Sequence, residues 1–223
     1  QPSWLFRMPT LNAKKWFLLG CVSTQDRCKA VLLHNRRSLD IVSCGFIEIF
    51  DSPSGFLKDS KAKISANGLE IKTLLPANCE FISIGLLDPL LRIKSKIQSW
   101  VAASDGNIVL DVSTFPERFC FPIIRWLTED PSVRNLVITY MMPDKYTDED
   151  LGYDSQDWGQ LPTFVDNSQS GGGLIENVIV GVGFLPYSLP DWLKKTYHGR
   201  NLKVSLLMPF PAAPSSVNRA WEF

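Results

Sequence analysis

Residues 15–37, "KWFLLGCVSTQDRCKAVLLHNRR", change from a strand pattern to a helix pattern within one turn. The first part is a short apolar run that ends at Gly20 and small residues, which is typical of a buried strand. A helix is predicted after Ser23, because the following residues share one helical stripe: Cys28, Val31, Leu32 and Asn35. The fold therefore opens with a strand, a turn and an amphipathic helix.

The same alternation continues along the chain. Further apolar strands are predicted at 40–51, 79–87, 107–112, 135–142, 177–183 and 202–210, with helices after 88, within 115–129 and at 189–199. Short, nearly wholly apolar strands separated by amphipathic helices are typical of a mostly parallel sheet that is covered on both faces. We therefore predict a Rossmann-like α/β fold.

One segment departs from this alternation. Apolar residues at Ile64 and Ala66, and again at Leu69 and Ile71, flank the dipeptide Asn67-Gly68. Asn-Gly is the commonest two-residue hairpin turn. We therefore predict an antiparallel hairpin excursion near residues 45–75.

The 223-residue chain is long enough for one sizeable core, since 45% of its residues are hydrophobic. We predict a single α/β domain over residues 1–223. The sequence starts at Gln1 without an initiator methionine and stops soon after Ser215 and Ser216, either of which is a suitable helix N-cap. These ends indicate that the domain is part of a longer protein, so further domains or another protein are expected partners.

The long segment 143–176 interrupts the pattern and contains the mobile-looking sequence "NSQSGGG". Loops of this length in compact domains are usually functional or disordered. Its aromatic side chains are suited to stacking on a ligand or to contacting another protein. We predict a long loop or lid. Its acidic residues lack the spacing of a calcium-binding loop, so no metal site is expected.

Charge and hydropathy exclude several classes of partner. Lys and Arg number 23, as do Asp and Glu, so net charge does not indicate nucleic-acid binding. No apolar run reaches the roughly 18 residues of a membrane span. The five cysteines never form C-x-x-C, which favours buried thiols in a reducing compartment over disulfides or structural zinc. We therefore expect a cytoplasmic protein that does not bind membranes.

A ligand site is expected at the carboxyl ends of the strands, where strand order reverses in an open α/β sheet. The predicted ends carry small or hydroxylated residues, which permit an anion to approach the backbone. Glycine pairs at such ends are also typical of plain turns. The expected ligand-binding residues are Gly20, Cys21, Ser23, Thr24, Ser113, Thr114, Thr139, Tyr140, Gly181 and Gly183.

Asp111 is the candidate catalytic residue, because it closes a predicted strand at this edge. The alternative is that its carboxylate accepts hydrogen bonds from the following turn. Cys21 also has two interpretations, a thiol with a lowered pKa at a helix N-terminus or a buried structural thiol. Thr114 and Glu117 have the spacing of a helix capping box.

The helix after Asp111 has two possible starts in "NIVLDVSTFPERFCFP". It begins near Phe115 and contains Pro122, or it begins at Pro122 after a short turn. The second arrangement would leave more space for a ligand beside Asp111.

Common cofactor motifs are absent from the sequence. "GCVSTQD" lacks the G-x-G-x-x-G pattern, "GVGFLP" has a proline where the third glycine would be, and no P-loop occurs. The two histidines, His34 and His198, adjoin no nucleophile motif. The sequence therefore identifies no cofactor.

Three functions remain open. The first is a Rossmann-like domain that binds a nucleotide-like or other anionic small molecule as a sensor or regulatory part of a larger protein. The second is a protein interaction module that uses the 143–176 loop. The third is a carboxylate-based hydrolase or glycosyl-transfer enzyme in which Asp111 is catalytic.

Overall fold

The computed structural model describes residues 14–35, 39–49, 57–74, 78–86, 88–143, 163, 175–181, 189–199 and 201–207. The chain divides into two compact units. The first comprises Gln1–Asp148 and Gln160–Phe164, and the second comprises Glu149–Gly159 and Val165–Phe223. The single-domain interpretation stays a prediction.

The first unit is built on a five-stranded parallel sheet with the order β3-β2-β1-β4-β5. Its strands are β1 (Lys15–Val22), β2 (Asp40–Ile49), β3 (Cys79–Ile84), β4 (Asn107–Asp111) and β5 (Asn135–Thr139). The predicted Rossmann-like α/β sheet is confirmed. Strand order reverses between β1 and β4, because the chain first runs outward to β3 and then returns to the other side of β1.

Helices cover both faces of this sheet, as predicted. They are α1 (Ala30–Asn35), which follows a 3₁₀ turn at Asp26–Lys29, α2 (Leu57–Leu74), α3 (Leu90–Ala103) and α4 (Glu117–Glu129). Phe17 and Leu19 of β1 enter one apolar cluster with α3 and α4, whereas Trp16 and Leu18 enter a second cluster with α1 and α2. The alternating residues of β1 therefore serve two separate cores.

The predicted antiparallel hairpin near residues 45–75 is wrong. The strand β2 is parallel to both of its neighbours, and α2 occupies the second half of this segment. Ile64 and Ile71 are both buried, since a spacing of seven residues places them on one helical face. Ala66 and Leu69, the other two apolar residues of the alternation, are exposed, so only Ile64 and Ile71 belong to the buried stripe.

The Asn67-Gly68 pair lies on the buried side of α2 for a packing reason. The Asn67 side-chain amide donates to the Ser23 carbonyl at 2.8 Å, and its oxygen accepts from Lys29 at 3.2 Å. A Cβ at Gly68 would lie 3.0 Å from a carboxylate oxygen of Glu48. Close packing of α2 against the sheet therefore overrides the local turn signal.

The helix α3 approaches β2 closely at one point. Trp100 is buried, and a Cβ at Gly45 would lie only 2.7 Å from its indole ring. The Trp100 indole N–H donates to Glu80 at 2.7 Å, so the ring is held in this position from β3. Only glycine at position 45 leaves room for this arrangement.

Two of the five cysteines depart from the predicted thiol state. Cys44 and Cys79 are register partners on β2 and β3, with Cα atoms 4.7 Å apart, and they form a disulfide. They are 35 positions apart in sequence, so only strand register reveals their proximity. The prediction of buried thiols is confirmed for Cys21 and Cys28, while Cys120 is free and half-buried.

The second unit contains a two-stranded parallel sheet of its own. Its elements are β6 (Ile175–Gly181), α5 (Leu189–Thr196) and β7 (Asn201–Leu207). The predicted strands and helix are found here, with bounds that differ by a few residues. Among the described residues, none of the helices combines the length and hydropathy needed to span a bilayer.

Candidate functional site

The carboxyl ends of β1, β4 and β5 meet at one edge of the five-stranded sheet, which we call the carboxyl edge. Because strand order reverses between β1 and β4, ligand binding is expected there. Gly181 instead ends β6 in the second unit, and Gly183 lies outside the described residues. The predicted residues at the carboxyl edge are Gly20, Cys21, Ser23, Thr24, Asp111, Ser113, Thr114, Thr139 and Tyr140.

Thr114 connects the two strands at which the order reverses. Its hydroxyl donates to the Cys21 carbonyl at 2.8 Å. The predicted capping box with Glu117 is therefore wrong, since Pro116 is the N-cap of α4 and no side chain caps it within the described residues. Thr114 serves a contact between strands that sequence spacing does not reveal.

Asp111 is buried, and it accepts hydrogen bonds from the turn that follows it. One carboxylate oxygen accepts from the Ser113 amide at 3.1 Å and also from the Ser113 hydroxyl. The Ser113 oxygen in turn accepts from the Met141 amide at 2.8 Å. The carboxylate thus organises the turn after β4 and, through Ser113, the chain after β5.

The buried position of Asp111 changes its acidity. Burial raises the pKa of Asp111 from 3.8 to about 6. Hydrogen bonding by Ser113, the nearby Thr139 hydroxyl and the charge of Arg27 lower it, but they offset burial only in part. A carboxyl group with a pKa near neutrality is a common feature of functional sites. A catalytic role for Asp111 stays a prediction.

Arg27 is the charged residue of this edge that sequence reasoning missed. Its guanidinium donates to the Tyr140 hydroxyl at 3.3 Å and to the Met141 carbonyl at 3.2 Å. It also lies 5.6 Å from the centre of the Tyr140 ring. Arg27 belongs to the 3₁₀ turn after β1, so its side chain crosses the reversal point to reach the end of β5.

Two buried polar atoms near this edge lack partners within the described part of the chain. They are the Thr139 hydroxyl oxygen and the Arg118 Nε. The Thr139 hydroxyl lies beside Asp111 but makes no hydrogen bond of normal geometry. Since buried polar groups are normally satisfied, these two atoms are exceptions among the described residues.

The helix α4 begins at Glu117, which agrees with the predicted start near Phe115. Pro122 lies inside the helix and is buried, so its missing N–H leaves the Arg118 carbonyl without the usual helical donor. The amides of Phe119 and Cys120 donate to the Pro116 carbonyl at 2.9 and 3.0 Å. The wider gap beside Asp111 that a start at Pro122 would create is not formed.

The remaining predicted residues after β1 have structural contacts. Cys21 is buried, and burial raises the pKa of its thiol far above the usual range, which agrees with a structural thiol. The Ser23 hydroxyl accepts from the Gln25 amide at 3.3 Å. Ser23 and Thr24 are both half-buried.

Two surface grooves are lined by residues other than the predicted site residues. One, of about 460 Å³, runs between β3 and α3 beside Ile82 and Lys96. The other, of about 380 Å³, lies between α3 and α4 beside Trp126. In the part of the chain that the structure describes, no group of three His, Cys, Asp or Glu residues is placed to hold a metal ion.

No family model, curated protein or solved structure matches this chain.

Proposed function

We propose that this protein binds a nucleotide-like or other anionic small molecule at the carboxyl edge, and that it acts as a sensor or regulatory part of a larger protein. The observation that carries this proposal is the position of Arg27. Its guanidinium lies over the end of β5, beside the exposed Tyr140 ring, at the reversal of strand order.

Arg27 supplies the contact to the anion. Its Nε donates a hydrogen bond to Gln25, and its Nη1 donates to Tyr140 and Met141. A guanidinium has five N–H donors, and the two on Nη2 have no partner among the described residues. They can therefore donate to an oxyanion. The contacts through Nη1 also fix the orientation of the group before a ligand binds.

Tyr140 supplies a stacking surface next to this cation. The residue is 55% exposed although it follows directly after β5. A base or another flat ring can stack on the free part of this ring while its phosphate contacts Arg27. A cation and an aromatic ring side by side favour a ligand that is both planar and anionic.

Asp111 and Ser113 position Arg27 through hydrogen bonds to the chain after β5. Both residues are buried, so they act through the chain after β5. Ser113 accepts from the Met141 amide, and the Met141 carbonyl accepts from Arg27. The buried carboxylate is thus connected to the proposed anion contact by three successive hydrogen bonds.

Thermal unfolding in the presence of inorganic phosphate and a panel of mononucleotides tests this proposal. We expect at least one nucleotide to raise Tm in a dose-dependent way, since a ligand at 100 times its Kd stabilises a protein by about 2.7 kcal/mol. Arg27→Gln should weaken that ligand by roughly 10- to 100-fold through loss of a charged hydrogen bond. Tyr140→Leu should weaken the nucleotide by a larger factor than phosphate, because it removes the stacking ring as well as one acceptor that orients Arg27.

Arg134→Gln is the matched control, because Arg134 is an exposed arginine just before the start of β5, at the opposite end of the sheet. It should bind the nucleotide as the natural chain does. The proposal is wrong if no nucleotide or phosphate changes Tm, or if the two arginine variants weaken binding equally.

A protein interaction module is the second candidate, and the surface at the end of β5 supports it. Ile138, Tyr140 and Met142 are 43%, 55% and 59% exposed, and they alternate along the end of β5 immediately before the 143–176 segment. Most of that segment lies outside the described residues; its Thr163 carbonyl accepts from Arg125 of α4. Exposed apolar patches of this kind are typical of contact surfaces.

Deletion of residues 144–172 distinguishes this second candidate from the first. If the segment makes the contact, its deletion abolishes capture of a partner by the immobilised protein, whereas Arg27→Gln leaves capture intact. Retained capture after the deletion would contradict the second candidate without affecting nucleotide binding.

A further inference from the structure

The Cys44–Cys79 disulfide joins an inner strand to an outer one. Among the described residues β3 pairs only with β2, whereas β2 pairs with both β1 and β3. Cys44 is 1% exposed, but Cys79, the first residue of β3, is half-buried. Cys79 is therefore the more exposed of the two disulfide-bonded residues.

The pairing of the two strands does not depend on this bond. Six successive residue pairs join them, from Cys44 and Cys79 to Ile49 and Ile84. Two residues beyond the cysteines, the Phe46 and Phe81 rings stack with centres 5.7 Å apart. The same sheet can therefore accommodate either two thiols or a disulfide at this position.

A cation lies on the strand face that carries Cys79. The Lys72 ammonium is 4.6 Å from the centre of the Phe81 ring, and Phe81 is two residues from Cys79 and thus on the same face. A positive charge near a cysteine favours its thiolate, which is the form that enters and leaves thiol–disulfide exchange.

We propose that Cys44 and Cys79 form a thiol–disulfide exchange site for small thiols of the glutathione class, with Cys79 as the sulfur that is attacked. In the reductive direction, an external thiolate bonds to the Cys79 sulfur while the bond to Cys44 breaks, and Cys44 leaves as a thiolate that takes a proton. The sulfur of a second external thiolate then bonds to the sulfur of the first, which releases Cys79 as a thiolate that also takes a proton. Two external thiols become one external disulfide, and the protein gains two electrons and two protons.

Incubation of the oxidised, natively folded chain with reduced glutathione tests the proposal. After native alkylation with N-ethylmaleimide and peptide mass spectrometry, we expect loss of the Cys44–Cys79 disulfide-linked peptide together with alkylation of Cys79, both in proportion to the glutathione present. Cys21, Cys28 and the released Cys44 should stay unmodified because they are buried. A Cys44–Cys79 bond that resists reduced glutathione until denaturant is added would overturn the proposal.

Single variants then test which sulfur is attacked. With oxidised glutathione, Cys44→Ser should acquire one glutathione on Cys79, at least tenfold faster than Cys79→Ser acquires one on Cys44. Equal rates, with both variants shown to be folded by circular dichroism, would contradict the assignment of Cys79. Cys120→Ser is the matched control, since it removes a half-buried free thiol and should leave the exchange unchanged.

Discussion

Two turns in this protein have the same local structure but opposite acid–base behaviour. Asp111 ends β4 and Ser113 follows it, while Asp130 and Ser132 precede β5. In each D-x-S turn one carboxylate oxygen accepts from the serine amide, at 3.1 and 2.9 Å, and from the serine hydroxyl. Burial raises the pKa of Asp111 to about 6, whereas the hydrogen bonds from Ser132 lower the pKa of Asp130.

The difference between these turns comes from their surroundings. Asp111 is buried below Arg27, where desolvation outweighs the hydrogen bonds that favour its charge. Asp130 lies nearer to water, so the same hydrogen bonds decide its pKa. The D-x-S motif determines the hydrogen bonding of the turn, and the burial of the turn determines the pKa of its aspartate. The charge of Asp111 lowers stability at neutral pH, whereas the charge of Asp130 raises it. A functional role is therefore the better explanation for Asp111 than for Asp130.

The largest expected loss of stability comes from Gly106, which packs against the turn that contains Asp130 and Ser132. Gly106 has φ 72°, and a Cβ there would clash with the Ser132 carbonyl. Gly106→Ala should lower the free energy of unfolding by about 3–4 kcal/mol, since it adds both a left-handed backbone penalty and a steric clash. Urea unfolding measures this. Gly199 has φ 74° with open space around it, so Gly199→Ala is a control that should cost less.

The next effect concerns pH and the buried turn. The pKa of Asp111 is raised on folding, so the folded state binds the proton more tightly and stability falls as pH rises from about 4 to 6. The change between an ordinary pKa of 3.8 and one of about 6 corresponds to about 3 kcal/mol. Asp111→Asn should lack this loss. Unfolding of both chains at pH 4 and pH 7 measures it, and an identical pH dependence in the two would refute the assignment.

Removal of the serine hydroxyls separates the two turns directly. Ser113→Ala leaves the partly buried Met141 amide without its acceptor and removes a hydrogen bond to Asp111, so it should cost about 2 kcal/mol. Ser132→Ala removes the equivalent bond near the surface, where water replaces it, and should cost about 0.5 kcal/mol. Equal losses in urea unfolding would mean that burial does not distinguish the turns.

The smallest expected effect is the pH dependence of stability that comes from Asp130, and its sign is opposite to that of Asp111. The pKa of Asp130 is lowered on folding, so its contribution is present above its ordinary pKa and is lost as pH falls through the folded value. Asp130→Asn should therefore reduce stability slightly at pH 7 and not at pH 2. Calorimetric Tm values at the two pH values would show this, and a Tm loss that is larger at low pH would contradict it.

Much of the fold was predictable because the strands are continuous apolar runs, which mark a parallel sheet whatever their order. The hairpin prediction failed at Asn67-Gly68, where contacts with Ser23 and Glu48 outweigh a local turn preference. The pairing of Cys44 with Cys79 likewise depends on tertiary structure, because the two residues lie on different strands. Local patterns therefore identified the elements, and only long-range packing identified their neighbours.

The candidate site was predictable in position but not in composition. Asp111, Ser113 and Thr114 stand at the expected strand ends, and their locations follow from sequence. Arg27 could not be assigned, because its partner Tyr140 is 113 residues away and on the other side of β4. The identical D-x-S spacing at Asp130 shows that sequence alone does not reveal which of two such turns is buried.

The contact between Gly45 and Trp100 has a consequence for the evolution of this chain. The indole ring fills the space that a side chain at position 45 would need. The two positions are therefore under a shared constraint, and a side chain at position 45 is tolerated only after residue 100 has become smaller. In homologous sequences a residue larger than glycine at 45 should co-vary with a smaller residue at 100, which makes this pair an internal check on any alignment.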